Sequence, residues 1–231
     1  MFRQLLRGLS RHLPSQCADC HDWPARPVCD ACVQHFGQPL PRCQTCALPV
    51  LAGMRQCGAC ISAPPLLDQA LAAVPYAFPW SGLVTQFKFQ EQTGWAASMA
   101  LLMRSTPWVE LALEQADWLL PMPLSQQRLL ERGFNQTLVL ARALESGELR
   151  SDVLLRVKET AALSSLPRQQ RQQAVHGAYA LEPALVPHVQ DKRIVLLDDV
   201  MTTGVSLHEA ARVLRRHGAA HIAAMVFART E

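Results

Sequence analysis

The sequence predicts an α/β domain, a parallel sheet with helices on both faces, preceded by a small cysteine-rich module. Three observations predict it. All eight cysteines fall between positions 17 and 60, in four Cys-x-x-Cys pairs. The segment Arg193 to Ser206 runs from consecutive apolar residues into two acids and a Thr/Gly loop. A helical pattern follows at once, with Leu207, Ala210, Ala211, Val213 and Leu214 spaced for one face and Gly218 placed to end it.

The whole composition agrees. With 231 residues, 49% apolar and 18% charged, the chain can bury a sizeable core. A formal charge of +3 makes no case by itself for an electrostatic nucleic-acid binder. The apolar runs are broken by Arg, Gln or Pro well before the ~20 residues of a membrane-spanning helix, so no membrane span is expected. At the start, Phe2, Leu5, Leu6, Leu9 and Leu13 alternate with Arg3, Arg7 and Arg11. That pattern predicts a short amphipathic helix and lacks the apolar core of an export signal, which implies a cytoplasmic protein.

The cysteine pairs are Cys17/Cys20, Cys29/Cys32, Cys43/Cys46 and Cys57/Cys60, separated by eight, ten and ten residues. A two-residue spacer lets both thiolates of a pair face one ion, and zinc takes four ligands in a tetrahedron, so four pairs predict two structural Zn2+ sites. A disulfide framework would need an oxidising compartment, to which nothing in the sequence points. Cys29 and Cys57 are each placed to begin a short helix, whereas Cys17 and Cys43 open loop-like pairs. That alternation favours sequential sites, the first two pairs on one ion and the last two on the other. Metal replaces a hydrophobic core in so short a module. Such a module can bind nucleic acid, hold a partner or brace a neighbouring domain, and bracing is the reading favoured.

Pro64-Pro65 marks a stiff boundary, giving a module over 1–64 and an α/β domain over 65–231. Residues 70–79 are expected to help form a small hood. Lys88 is one of only three lysines and stands between Phe87 and Phe89, which places it near a ligand rather than on a bland surface. Trp118-Leu119-Leu120 reads as a buried strand stopped by Pro121, and Arg128 and Arg132 follow with the forked geometry that binds phosphate oxygens. Their plainer reading is a solvated helix face. Further strands are expected near 153–157, 193–198 and 221–227. Between Lys158 and Tyr179 the chain is polar and weakly patterned, with Arg168, Arg171 and Gly177.

Asp198 and Asp199 fall at the carboxyl end of the strand from Arg193, where an open parallel sheet presents its ligand crevice. Two adjacent buried acids are costly without partners, and sugar hydroxyls or a metal-bound polyphosphate would supply them. The loop Val200-Met201-Thr202-Thr203-Gly204-Val205-Ser206 then offers backbone N–H groups, three hydroxyls and a helix N-terminus, which suit a phosphate dianion. An ordinary dinucleotide-type strand with a capped helix is the plainer alternative.

This acidic-pair-plus-loop run resembles the phosphoribosyl pyrophosphate signature of type I phosphoribosyltransferases. With the four cysteine pairs ahead of it, nearly the whole chain resembles the competence protein F family, which includes DNA-utilisation proteins of Gram-negative bacteria. The stretches that carry this are Gln86-Phe87-Lys88-Phe89, Pro121-Met122-Pro123-Leu124, Arg128 with Arg132-Gly133-Phe134-Asn135-Gln136, and Ala228-Arg229-Thr230. The resemblance implies that Asp198 and Asp199 hold the ribose hydroxyls, that Val200 to Ser206 holds the 5-phosphate with Lys88 nearby, and that Arg128 and Arg132 hold pyrophosphate accompanied by Mg2+. In an enzyme these two acids and two arginines would be the catalytic set. It also implies a flap over 158–179, with Gln at 163 and Asn at 174. Leu163 and Ala174 stand there instead, so binding without rapid turnover is expected, and no residue selects an acceptor. Single-stranded DNA or DNA-uptake and recombination proteins are the partners implied.

Overall fold

The computed structural model describes residues 16–23, 26–90, 92–144, 147–160 and 173–231. The expected helix over Met1 to Leu13 lies outside these residues, as do Leu163, Arg168 and Arg171. The chain forms two compact units, Met1–Gln38 and Pro39–Glu231. The boundary expected at Pro64-Pro65 therefore falls inside the larger unit, which carries the second pair of cysteine motifs.

In the smaller unit, helix α1 (Asp30–Phe36) starts at Cys29, whose thiol accepts from the Cys32 N–H, while Cys17 and Cys20 occupy a turn. In the larger unit Cys57 is likewise the N-cap of α2 (Gly58–Ser62). Both helices begin where the sequence predicts.

The sheet of the larger unit has β1 (Gln69–Pro75), β2 (Trp118–Pro121), β3 (Glu148–Leu149), β6 (Arg193–Met201) and β7 (His221–Arg229). The two strands between, β4 (Leu154–Arg156) and β5 (Tyr179–Leu181), form a separate antiparallel pair. Strand order in the main sheet is β1-β7-β6-β2-β3, with every neighbouring pair parallel. The central strands are apolar on both faces, as a doubly covered parallel sheet requires. One face carries α3 (Trp80–Phe89), α4 (Trp95–Arg104) and α7 (Gln136–Leu144), with Trp80 set edge-on against Phe227 at 6.1 Å. Shorter helices α5 (Val109–Glu114) and α6 (Gln126–Arg132) complete the connections. The other face carries α8 (Val205–Arg216), whose Leu207, Ala210, Ala211 and Leu214 pack with Ile194, Leu196, Ile222 and Val226. The predicted fold class is the observed one.

Two local expectations change. Residues 70–75 do not form a hood: Ala70, Leu71, Ala72 and Val74 are buried in β1, hydrogen-bonded to β7 at the sheet edge. Their small side chains fit a strand sandwiched between layers, a placement that an apolar run alone does not distinguish from a hood. The strand near 153–157 exists but leaves the main sheet and pairs with β5, because Val153, Leu154, Tyr179 and Leu181 bury themselves beside α8 instead. No helix among the described residues is long and apolar enough to cross a membrane.

Candidate functional site

A cleft of about 690 Å³ opens at the carboxyl ends of the central strands. Its floor is the end of β6. Asp198 and Asp199 both line the cleft there, and their side chains interact with each other. Asp199 is 2% exposed, with Oδ1 2.9 Å from Lys88 Nζ at the last turn of α3 and Oδ2 buried without a hydrogen-bond partner among the described residues. Asp198 Oδ1 accepts from the Asp199 N–H at 2.9 Å. Burial first, then the neighbouring Asp199 charge, push the Asp198 carboxyl up to about 8, against the opposing pull of Lys88.

After Met201 the chain turns through Thr202 to Gly204, which has φ 76° and forms the N-cap of α8. A helix start leaves its first N–H groups unpaired and carries partial positive charge. Val200, Met201, Thr202, Gly204, Val205 and Ser206 all line the cleft with Lys88. Thr203 does not, and its hydroxyl is buried without a hydrogen-bond partner among the described residues.

The opposite wall comes from the segment after β2. Pro121-Met122-Pro123-Leu124 leads into α6, which presents Arg128 and Arg132 to the cleft. The Arg-Gly-Phe-Asn-Gln run has a structural reason. Gly133 ends α6 at φ 76°, and Asn135 Oδ1 accepts from the Thr137 N–H to start α7. The Asn135 side-chain amide and the Thr137 hydroxyl both donate to the Met122 carbonyl, tying the loop to the next helix. Phe134 packs edge-on against Phe87, and Arg132 lies 5.2 Å over the Phe89 ring. Arg128 and Arg132 thus both line the cleft.

The structure adds residues that the sequence did not single out. Arg156, at the end of β4, lines the cleft and donates to the Tyr179 hydroxyl at 2.7 Å, and that hydroxyl also contacts Ser206 of the loop. Burial, then the nearby Arg156 and Arg132 cations, lower the Arg128 guanidinium below its ordinary value. Three guanidinium groups are thus drawn together, an arrangement that favours an anion between them. Glu131, Gln136 and Tyr76 also line the cleft. The available signal for Arg156 was its charge at the end of a strand-like Leu154-Leu155 pair.

The cysteines gather into Cys17, Cys20, Cys29 and Cys32, and separately Cys43, Cys46, Cys57 and Cys60, with the sulfurs of each group within 4.8 Å of one another. This is the sequential pairing the sequence favours. Sulfur separations of 3.8 Å for Cys17 to Cys32 and 3.7 Å for Cys46 to Cys57 match the ~3.8 Å edge of a tetrahedron with metal–sulfur bonds of about 2.3 Å. None of the eight is in a disulfide. The N–H of Cys29 points at Cys17 Sγ at 3.4 Å and that of Cys57 at Cys43 Sγ at 3.3 Å, contacts that favour thiolates. Both groups could hold a metal ion.

Residues 125–231 match the phosphoribosyl transferase domain family. The chain is 32% identical over 214 residues to the DNA utilization protein YhgH of Salmonella typhimurium, covering 88% of this chain and 90% of that one. It is 29% identical over 206 residues to Competence protein F of Haemophilus influenzae, covering 84% and 87%. Among solved structures, the allosteric regulatory enzyme of purine biosynthesis aligns at 16% identity and TM-score 0.38 over 62% of this chain and 30% of that one. The parallel sheet and the family match define a phosphoribosyltransferase-type domain. The chain belongs to the competence protein F family of DNA utilization proteins.

Proposed function

We propose that the cleft binds phosphoribosyl pyrophosphate with Mg2+, and that the protein thereby serves the use or uptake of external DNA in the cytoplasm. One observation carries the reading. The paired acids run directly into a loop ending at a helix N-terminus, and a wall of guanidinium groups faces them across the same cleft. Asp198 and Asp199 take the ribose hydroxyls, Val200 to Ser206 the 5-phosphate, and Arg128 and Arg132 the pyrophosphate. The unpartnered Asp199 Oδ2 and the Asp198 carboxylate are hard oxygen donors that suit Mg2+. When bound, Mg2+ would offset the charge of the pyrophosphate. The two cysteine groups take one structural Zn2+ each. The role in DNA use comes from the names of the relatives, and single-stranded DNA or proteins of DNA uptake and recombination are the partners proposed.

Leu163 and Ala174 stand where members of the resembled family commonly carry Gln and Asn, which favours slow or absent turnover. A ligand-sensing protein fits that better than a salvage transferase. Calorimetry with Mg2+ and phosphoribosyl pyrophosphate is the test. Binding by the wild type and its loss in Asp198→Asn/Asp199→Asn is expected, whereas a folded, zinc-loaded wild type that does not bind overturns the reading. Rapid pyrophosphate release with one base from a nucleobase panel would make the protein a transferase. Deleting the gene should impair use of external DNA while ordinary growth continues, and auxotrophy for a purine, pyrimidine or histidine would refute the DNA role.

A further inference from the structure

The closing run Ala228-Arg229-Thr230 is part of the family resemblance yet has no task in the cleft. Arg229 ends β7 and is 5% exposed. Its register partner on β6 is Met201, inside the phosphate loop. Its Nη1 donates to the Met201 carbonyl at 3.0 Å and to the Thr202 carbonyl, and its Nε donates to the Cys46 carbonyl at 2.9 Å. One buried side chain therefore joins the loop to a member of the second cysteine group.

The seat of that group is built into the same core. Ala47, beside Cys46, is fully buried and shares a core cluster with Met201 and Leu207. The Ala70 N–H of β1 donates to the Gln44 carbonyl at 2.6 Å. The Cys43–Cys46 turn is thus attached both to the edge strand and, through Arg229, to the loop.

Peptide planarity gives this attachment a consequence. In a trans peptide the C=O and the following N–H point in opposite directions. Holding the Met201 and Thr202 carbonyls toward Arg229 therefore turns the Thr202 and Thr203 N–H groups the other way. The guanidinium fork is rigid, so it holds carbonyls from separate segments in fixed relation, which a lysine cannot do.

We propose that Arg229 is a positioning residue through which the metal-bound state of Cys43, Cys46, Cys57 and Cys60 holds the phosphate loop in its ligand-ready shape. This rests on the reading of Val200 to Ser206 as a phosphate cradle. Metal binding orders the turn that carries the Cys46 carbonyl. Its loss frees that carbonyl and releases one side of the fork that orients the loop.

The test uses the full chain, hydrogen exchange over residues 200–206, zinc content, and calorimetry with Mg2+ and phosphoribosyl pyrophosphate. Arg229→Lys is expected to keep two zinc ions, to weaken ligand binding at least tenfold and to speed exchange in the loop. Chelating zinc from the wild type should speed the same exchange, and chelation of Arg229→Lys should add less than twofold. Cys20→Ser, which alters only the first cysteine group, should leave loop exchange unchanged. Wild-type affinity and exchange in Arg229→Lys would overturn the proposal. So would unchanged loop exchange after chelation, an arm that decides the matter even where Arg229→Lys does not fold. Loosening by Cys20→Ser as large as that by chelation would also overturn it, because it would mark a global effect. A wild type that binds no phosphoribosyl pyrophosphate but shows this exchange pattern refutes the ligand while supporting the coupling.

Discussion

Lys88 Nζ, on the last turn of α3, lies 2.9 Å from Oδ1 of Asp199, at the end of β6. The Asp199 side chain is 3% exposed and the Lys88 side chain 20%. A lysine flanked by two phenylalanines is thus the counter-ion of the more buried acid of the pair. Removing one member of a buried ion pair leaves the other uncompensated, which is worse than replacing both. Lys88→Met is expected to destabilise the protein by about 3 kcal/mol in urea titration. The double variant Lys88→Met/Asp199→Asn should recover most of that loss, and additive losses would show that the two do not act as a pair.

The Asp198 carboxyl should make stability depend on pH with a definite sign. Burial and then the Asp199 charge raise it to about 8 from an ordinary 3.8. Between those values the native state holds a proton that the unfolded chain has lost, so stability falls as pH rises through that window. Urea titrations from pH 5 to 9 should show this fall in the wild type and a flatter profile in Asp198→Asn. Binding of Mg2+ with phosphoribosyl pyrophosphate favours the carboxylate. Affinity should therefore rise towards pH 8, with protons released on binding below it, as calorimetry in buffers of different ionisation enthalpy would reveal.

Substituting Gly204 is disfavoured chiefly by its backbone and secondarily by its neighbours. Its φ of 76° disfavours any side chain, and a Cβ there would lie 2.5 Å from Met201 Cε and 3.3 Å from the His208 ring. Gly204→Val is expected to cost about 1–3 kcal/mol of stability and to abolish binding of phosphoribosyl pyrophosphate, measured by urea titration and calorimetry. Near-native affinity in this variant would show that the loop does not cradle a phosphate.

The two cysteine groups should differ in what their loss does. Metal analysis should find two zinc ions per chain. Cys43→Ser should lower the melting temperature of the larger unit, because Ala47 and the Cys46 carbonyl belong to that unit's core and hydrogen bonding. Cys20→Ser should abolish one zinc ion and leave that melting transition in place, as calorimetric scans would check. Equal effects of the two variants would contradict the division of the chain at Gln38 and Pro39.

The sequence by itself determined the features whose cause is local. Each Cys-x-x-Cys pair is a unit of ligation, so two sites were legible from spacing, and their sequential pairing from the alternation of loop-like and helix-starting pairs. The run from Arg193 through Ser206 into α8 was legible because an apolar strand, a glycine-bearing turn and a helical period adjoin in the chain. Tertiary structure alone decided what depends on partners distant in sequence. Residues 69–75 and 154–156 are both short apolar runs, and only sheet packing sends one to the main sheet and the other to a hairpin. Arg156 reaches the cleft only because β4 pairs with β5 and meets Tyr179, and Lys88 reaches Asp199 only because α3 lies against the sheet, with Trp80 on Phe227 of β7. Arg229 joins Cys46 to Met201 because β6 and β7 end in register, and register is set by side-chain packing across the whole sheet, which no short stretch of sequence contains.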